Sequence, residues 1–211
     1  MKEDGETREL LMEKAKREFL EKGYMKSSLR RICSEAGVTT GALYFFFKDK
    51  EDLFGALVDR FIAQLSGLLE QHFEEENALL SQIPGYEHSE GDHDRFAELL
   101  VRHLYNNYDV IILLVKKSQG SRYENFPDRI TELLEKRYFF FLSEYAERHG
   151  LPAPEPFFVH FIVHTAVDSL VQLLLSEKDV ERAVVIQKKL LEFVVAGSAR
   201  LILSKEGQPP G

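Results

Sequence analysis

Two histidines and an aspartate recur at intervals of four residues in the C-terminal third of the chain: His160, His164 and Asp168. In a helix this spacing places the three side chains on one face, one turn apart. Two histidines one turn apart have good geometry for a metal ion. The surroundings are apolar, however, and no H-E-x-x-H arrangement accompanies them. This favours polar groups of a ligand pocket or hydrogen-bonded interface residues, with a metal or enzymatic centre as the alternative.

The sequence contains no nucleophile–base arrangement and no phosphate-binding loop. We therefore predict no enzymatic activity, no cofactor and no bound metal. The single cysteine, Cys33, excludes an internal disulfide and a multi-cysteine metal site. We expect Cys33 to be a packed thiol, with a redox sensor as the alternative.

The segment 27–54 has a pattern that indicates binding rather than catalysis. It contains two short helical patterns, and Gly37 in the turn between them supplies the left-handed backbone of a sharp reversal. Ser27 or Ser28 can cap the first helix, and Thr39 can cap the second. Two short helices joined in this way form a helix-turn-helix, whose second helix enters the major groove of DNA.

The same segment resembles the signature of the TetR family of bacterial transcriptional regulators. The resemblance rests on Ala36-Gly37-Val38-Thr39 followed by Gly41, Leu43-Tyr44, Phe47-Lys48, Lys50-Glu51 and Leu53-Phe54. A preceding helix, about residues 7–22, fits the first helix of that family. The resemblance covers roughly the first quarter of the chain, and the remainder fits only in length and helical pattern. It implies a ligand-responsive repressor that binds a pseudo-palindromic double-stranded DNA as a homodimer.

Candidate DNA contacts follow from the motif and from the resemblance. The N-terminus of the first motif helix is a natural phosphate site, and the start of the second helix reaches base edges. The resemblance implies phosphate contacts for Tyr44 and Lys48. The candidates are Lys26, Ser27, Ser28, Thr39, Thr40, Gly41, Tyr44, Phe45 and Lys48.

The recognition helix departs from the family pattern at two positions. Thr40 stands where a basic residue or proline is common, and Phe45 stands where histidine or another polar residue is frequent. Without an arginine to contact guanine, hydroxyl and apolar contacts favour an A/T-rich half-site. Alternatively, Phe45 packs against a neighbouring element, and both interpretations stay open.

Composition and charge are consistent with a soluble cytoplasmic DNA-binding protein. The net charge is −8, but residues 1–53 contain 11 basic and 11 acidic residues, so the acidic excess lies beyond them. DNA affinity depends on local basic groups rather than total charge. We find no apolar run that approaches the ~20 residues needed to cross a bilayer, and the N-terminus is too charged for a secretory signal.

Hydrophobic periodicity predicts an all-α protein of about nine helices. A three-helix helix-turn-helix domain, residues 1–53, precedes a larger effector-binding and dimerisation domain, residues 54–211. A helix of about seven turns begins near Asp49 or Lys50, long enough to join the two. We expect a mobile loop at 81–94, helical pattern at about 94–118 that is interrupted near Asn106 and Asn107, and further helices at about 122–149, 156–176 and 178–204. A disordered tail is expected at 207–211.

The last two predicted helices are apolar on nearly all sides. A helix in a monomer needs only one buried stripe, so the second stripe predicts contact with another copy through a four-helix bundle. The candidate interface residues are Val171, Leu174, Leu190, Val194 and Leu201.

Aromatic residues are frequent in the predicted larger domain. A cavity lined by rings and a few polar groups would suit a small hydrophobic effector. The candidate lining residues are Phe96, His103, Asn107, Tyr123, Phe126, His160, Phe161 and His164.

Overall fold

The computed structural model describes residues 2–82, 90–148 and 150–203, and in these ranges the chain forms nine α-helices and no strand. The all-α prediction is therefore confirmed. The helices are α1 (Lys2–Lys26), α2 (Leu29–Glu35), α3 (Thr40–Phe46), α4 (Lys50–Gln82), α5 (Glu90–Asn106), α6 (Tyr108–Lys116), α7 (Phe126–Arg148), α8 (Pro156–Ser176) and α9 (Val180–Leu203).

Several predicted boundaries lie within two residues of those in the structure because local signals fix them, whereas α1 extends over Lys2–Lys26 instead of about residues 7–22. Pro156 occupies the first turn of α8, where its missing N–H is harmless. The predicted interruption near Asn107 separates α5 from α6. α7 begins at Phe126 rather than 122, because the preceding residues form hydrogen-bonded turns, such as Ser121 N to Ser118 O at 2.9 Å. Of the predicted loop at 81–94, residues 83–89 lie outside the described residues, and residues 90–94 belong to α5. The predicted tail at 207–211 also lies outside the described residues.

One compact unit comprises Met1–Ser66 and Asn107–Pro127. Its core is formed by α1, α2, α3, the first part of α4, and α6. Phe19 of α1 meets Phe54 of α4 edge-to-face, with ring centroids 5.0 Å apart. The largest fully buried side chains here are Leu11, Phe19, Ile32, Leu43, Phe47, Leu53, Phe54, Val58, Leu113 and Leu114.

The second compact unit comprises Gly67–Asn106 and Asp128–Gly211. Two apolar clusters hold it together. Val101 of α5 packs with Leu173 of α8 and Val184 of α9. Phe141 of α7 packs with Val159 and Val163 of α8. α4 contributes residues to both units, so the compact units differ from the predicted division at residue 53, and that functional division stays a prediction.

α8 has a high average hydropathy for a helix that contains several polar residues. By length and composition alone it is long and apolar enough to cross a membrane, with a mean hydropathy of 1.6 over 18 residues. Within the second unit it buries Val159, Val163, Leu173 and Leu174, yet only 22% of that window is buried. The helix has no long uninterrupted apolar run, since polar residues such as His160, His164 and Asp168 interrupt it, but its average hydropathy is high. The absence of membrane contact stays a prediction.

Two glycines of α4 are expected to respond oppositely to alanine. A Cβ at Gly55 would lie 2.7 Å from Tyr123 Oη and 3.0 Å from both Arg122 Nη2 and Asp59 Oδ2, whereas one at Gly67 meets nothing within 4 Å. Alanine normally stabilises a helix interior by ~0.5–1 kcal/mol relative to glycine. We expect that gain for Gly67→Ala and a net loss of ~1 kcal/mol for Gly55→Ala, since the buried Tyr123 must give up its bond to Asp59.

Urea unfolding of both variants measures this difference. Tyr123→Phe in the Gly55→Ala background removes the clashing hydroxyl and should recover part of the loss. Equal stabilisation by the two alanines would contradict the packing of Tyr123 on α4.

Candidate DNA-binding surface and ligand cavity

The helix-turn-helix is built from local hydrogen bonds that the sequence supplies. Ser28 caps α2, its Oγ accepting from Arg31 N at 3.4 Å. Thr39 caps α3, its Oγ1 accepting from Ala42 N at 3.2 Å. Between the two helices Gly37 has φ 66°, a conformation that side chains with a Cβ rarely adopt. The predicted capping and reversal are confirmed.

A buried carboxylate holds α2 against α1. Glu18 is 3% exposed, and its Oε1 accepts from Ser28 N at 3.1 Å, while its Oε2 lies 3.3 Å from Arg31 Nε. The first N–H groups of a helix lack intrahelical partners, so an acceptor at this position stabilises the start of α2. Glu18 therefore fixes the angle at which α2 leaves α1.

Lys50 ties the start of α4 to the same turn. Its Nζ donates to Ser27 O at 2.9 Å and lies 4.8 Å from the centre of the Tyr24 ring. Burial lowers the pKa of Lys50, because the charged ammonium loses solvation there. The chain reversal between α1 and α2 and the beginning of α4 are thus one connected arrangement.

The start of α3 and the following turn form an exposed surface. Thr39, Thr40, Gly41 and Lys48 are exposed, as are the rings of Tyr44 at 56% and Phe45 at 76%. Their inward counterparts, Leu43 and Phe47, are buried. Phe45 packs edge-to-face only on its neighbour Phe46 among the ring contacts described, at 4.9 Å. This exposure does not fit the alternative in which Phe45 packs against a neighbouring element.

Ser27 is the exception among the candidate DNA contacts. It is 9% exposed, and its hydroxyl donates to Tyr24 O at 2.7 Å. Its proton is therefore used inside the turn that follows Gly23, and the expectation that it contacts phosphate is wrong. Lys26 and Ser28, on either side, remain exposed. Cys33 is buried, and burial raises the pKa of its thiol, which agrees with a packed residue rather than a redox sensor.

The second unit contains a cavity of about 150 Å³ between α4, α5, α7, α8 and α9. Its walls are almost entirely apolar, with a few polar side chains. It is lined by Leu69, His72, Phe73, Glu76, Phe96, Ala97, Leu100, Leu134, Tyr138, Phe141, Ile162, Val163, Ala166, Val167, Leu170, Gln187, Leu191, Val194 and Val195.

Three polar side chains give this cavity its chemistry. His72 Nε2 lies 3.3 Å from Glu76 Oε1, and the His72 ring stacks on Phe96 with centroids 3.6 Å apart. Gln187 is 8% exposed, and its Oε1 has no hydrogen-bond partner among the described residues. A buried acceptor without a partner is unfavourable by ~1–3 kcal/mol. A bound molecule with a hydrogen-bond donor would satisfy it.

Of the predicted effector contacts, the structure brings only Phe96 to this cavity. α8 lines it with Ile162, Val163, Ala166, Val167 and Leu170, at helical spacing. His160, Phe161 and His164 lie on a different side of α8, and Phe161 is 64% exposed. The predicted contacts thus lie on the polar face of α8, whereas its apolar face lines the cavity.

The other predicted contacts belong elsewhere. Tyr123 and Phe126 are buried in the first unit, where Tyr123 Oη donates to Asp59 Oδ1 at 2.6 Å. Burial and this bond raise the pKa of Tyr123 to about 12. Asn107 is the residue before α6. His103 lies one turn beyond the lining residues of α5, and burial lowers its pKa. None of these four residues lines the cavity, and an effector role for them stays a prediction.

The cavity-lining residues that were not predicted have a recognisable pattern in the sequence. Leu69, His72, Phe73 and Glu76 follow helical spacing on α4, and a histidine and a glutamate on an otherwise apolar stripe mark a polar function inside a core. Gln187 similarly interrupts the apolar face of α9. Sequence periodicity alone did not show which helix faces converge.

The predicted dimer contacts divide into three groups. Leu174 is 4% exposed inside its own unit, and Val194, which is half-buried, lines the cavity. Val171 and Leu190 are half-buried, and the side chain of Leu201 lies outside the described residues. Among the side chains of these two helices that the structure describes, the large exposed apolar ones are Phe157, Phe161, Val185 and Phe193.

The comparisons with known proteins agree with the helix-turn-helix. Residues 11–57 match the family model described as bacterial regulatory proteins, tetR family. The HTH-type transcriptional repressor BepR of Brucella suis is 47% identical over 58 residues, which are 28% of this chain and 28% of that protein. The matched segment therefore spans less than a third of the length of that relative.

Solved structures resemble nearly the whole chain. The match to a TetR-like transcriptional regulator from Rhodococcus spans 90% of this chain and 96% of that protein. Its TM-score is 0.61 and the sequence identity is 15%. The match to the regulator FadR from Bacillus subtilis, in complex with stearoyl-CoA, spans 89% of this chain and 97% of that protein. Its TM-score is 0.55 and the sequence identity is 17%. At these identities the similarity establishes the fold.

Gln187→Leu is expected to stabilise the unliganded protein. The substitution keeps a similar volume and removes the buried Oε1 acceptor, so we expect a gain of ~1 kcal/mol where most core substitutions destabilise. Chemical denaturation measures it, with Gln172→Leu on the exposed side of α8 as a control expected to change stability by less than ~0.5 kcal/mol. A loss of stability in Gln187→Leu would show that Oε1 has a partner.

Proposed function

We propose that this chain, which carries the N-terminal DNA-binding domain of the TetR family of bacterial regulatory proteins, is a cytoplasmic, homodimeric transcriptional repressor that a small hydrophobic effector releases from DNA. The observation that carries the proposal is the pairing of an exposed helix-turn-helix with an apolar cavity in the same chain. The relatives with this domain are transcriptional regulators, and we expect no enzymatic activity.

The exposed surface of α3 supports DNA binding. Tyr44 and Lys48 combine a hydroxyl and a cation at the end of α3, suited to backbone phosphates. Thr39, Thr40 and Phe45 stand at the positions of a recognition helix that read base edges. Their hydroxyl, methyl and ring groups favour thymine methyl contacts, so we propose an A/T-rich half-site.

The exposed apolar residues of α8 and α9 support a homodimer. Phe157, Phe161 and Phe193 are 64–73% exposed, and such large apolar side chains on two neighbouring helices indicate a protein interface. Two copies related by a two-fold axis would bury both pairs of helices in a four-helix bundle. The symmetry of the protein would then match a pseudo-palindromic DNA site.

The cavity suggests the class of effector. A volume of about 150 Å³ accommodates roughly one aromatic ring in a well-packed protein. Gln187 Oε1 and the Glu76 carboxylate both accept hydrogen bonds. We therefore propose a compact, mainly apolar compound that carries an N–H or O–H donor.

α4 is the element that can link the two events, because it runs from the first compact unit into the second. Leu69, His72, Phe73 and Glu76 of this helix line the cavity. An effector that prefers a different position of α4 must favour it by the same free energy by which DNA disfavours it. A tenfold loss of DNA affinity needs only ~1.4 kcal/mol of coupling.

DNA binding is expected to require the surface of α3. Two protomers should bind a pseudo-palindromic duplex with half-sites about one helical turn (~34 Å) apart. Tyr44→Phe and Lys48→Ala should weaken binding to all sequences, and Lys48→Ala should also reduce the salt dependence. Thr40→Ala should change the sequence preference instead.

Selection from random duplexes, followed by titration at several salt concentrations, measures these effects. Ser27→Ala is the matched control, since its hydroxyl is used internally, and it should leave the sequence preference unchanged. A selection that enriches no sequence would count against the proposal.

Release of the protein from DNA is expected to depend on a hydrogen-bond donor of the effector. We would titrate a preformed protein–DNA complex with pairs of one- or two-ring compounds, each with a free N–H or O–H and its N- or O-methyl analogue. For a compound that releases the wild type, the free donor should act at ~3–10-fold lower concentration than its analogue. In Gln187→Leu the two members of a pair should act equally.

Gln172→Leu is the control for this titration and should retain the preference of the wild type. If Gln187→Leu prefers the compound with the free donor over its methyl analogue as strongly as the wild type does, the donor does not bind to Gln187.

A further inference from the structure

A cluster of three potential metal ligands lies on α7 and α8, outside the cavity. His160 Nδ1 is 2.5 Å from Glu135 Oε1, and His164 Nε2 is 3.8 Å from the same oxygen. The two imidazole rings are 4.3 Å apart at their centroids. One ligand atom from each of the three residues lies within 4.8 Å of the other two.

The cluster is separate from the proposed effector site. None of the three residues lines the cavity, although their sequence neighbours Leu134 and Val163 do. The side chains of His160, His164 and Glu135 are 50%, 40% and 25% exposed, so a dissolved ion can reach them. None of these groups takes part in the proposed effector cavity, although His160 and His164 stand on the same helix as Phe157 and Phe161 of the proposed dimer interface.

The three side chains have the chemistry of a transition-metal site. Imidazole nitrogen and carboxylate oxygen are the ligands that zinc binds in His₂Glu sites, with water in the fourth position. Histidines four residues apart on a helix present two ligands from one face, and the third ligand comes from a second helix. Zn–N and Zn–O bonds of ~2.0–2.2 Å separate tetrahedral ligand atoms by ~3.3–3.5 Å. The observed 2.5 and 3.8 Å bracket this value.

We propose that Glu135, His160 and His164 bind a divalent transition-metal ion of the zinc type. The ion takes the place of the direct contact between His160 and Glu135 and draws His164 closer. It then cross-links α7 to α8 in the second unit. The fourth position, open to solvent, is occupied by water.

The proposed site differs from the one that the sequence spacing suggests in its third ligand. His160, His164 and Asp168 share an interval of four along one helix, but the cluster contains Glu135 of α7 in place of Asp168. A site along one helix would have little effect on packing between helices. A site that includes Glu135 joins two helices and should raise the stability of the folded protein when metal is added.

The experiment is titration of tag-free, metal-free full-length protein with Zn²⁺ against a chromophoric chelator, repeated with Co²⁺ for its visible absorption. The variants are Glu135→Gln and the double variant His160→Ala/His164→Ala. Asp168→Asn is the matched control, because Asp168 is an exposed carboxylate one turn from His164. Circular dichroism melts with and without Zn²⁺ test that each variant folds and whether metal stabilises it.

We expect one Zn²⁺ per chain, at least ~tenfold weaker binding in Glu135→Gln and in the double variant, and unchanged binding in Asp168→Asn. The melting temperature of the wild type and of Asp168→Asn should rise with Zn²⁺, and that of Glu135→Gln should not. The proposal is overturned if the double variant binds Zn²⁺ as tightly as the wild type. It is also overturned if Asp168→Asn weakens binding while Glu135→Gln does not.

Discussion

The buried carboxylate of Glu18 is the constraint on which the helix-turn-helix depends. A charged group at 3% exposure is tolerated only when partners compensate for lost hydration. Its partners here are the amide of Ser28 at the start of α2 and the guanidinium of Arg31 one turn later. An apolar side chain at this position could pack as tightly, but it would not set the direction of α2. Because α2 and the turn at Gly37 determine where α3 lies, Glu18 indirectly positions Thr40 and Tyr44.

The same reasoning applies around Tyr123, where polar groups fix the packing of an otherwise apolar core. Tyr123 bonds to Asp59 of α4, and Gly55 leaves the space that the phenol occupies. The loop before α7 is thus held to α4 within the first compact unit. Directional bonds of this kind specify one arrangement among the many that apolar packing alone would permit.

The sequence was sufficient for local structure and insufficient for the convergence of distant faces. Capping by Ser28 and Thr39, the reversal at Gly37 and the start of α8 at Pro156 depend on residues within one turn of each other, and the sequence predicted them correctly. The cavity depends on five helices meeting, and their rotation about their own axes is set by packing. The effector contacts predicted on α8 therefore lie on its polar face, away from the cavity. Gln187, a single amide in the apolar stripe of α9, was not predicted to line it. Ser27 was misplaced for the same reason, since only the fold shows that its hydroxyl is used within the turn that follows Gly23.

The apolar character of α8 has a consequence for synthesis of the chain. α8 is complete before Val180–Leu203 is made, and residues of that later segment, including Ala183 and Val184, pack beside Leu173. Until that segment is made, the apolar surface around Leu173 is not covered by α9, on a 21-residue helix with the hydropathy of a membrane span. Chaperones and proteases act on such exposed surface. On the proposed assembly, Phe157 and Phe161 stay exposed even after α9 folds, until a second copy arrives. Pairing would then be a step of maturation as well as of function, and newly made chains at low copy number would be the most vulnerable.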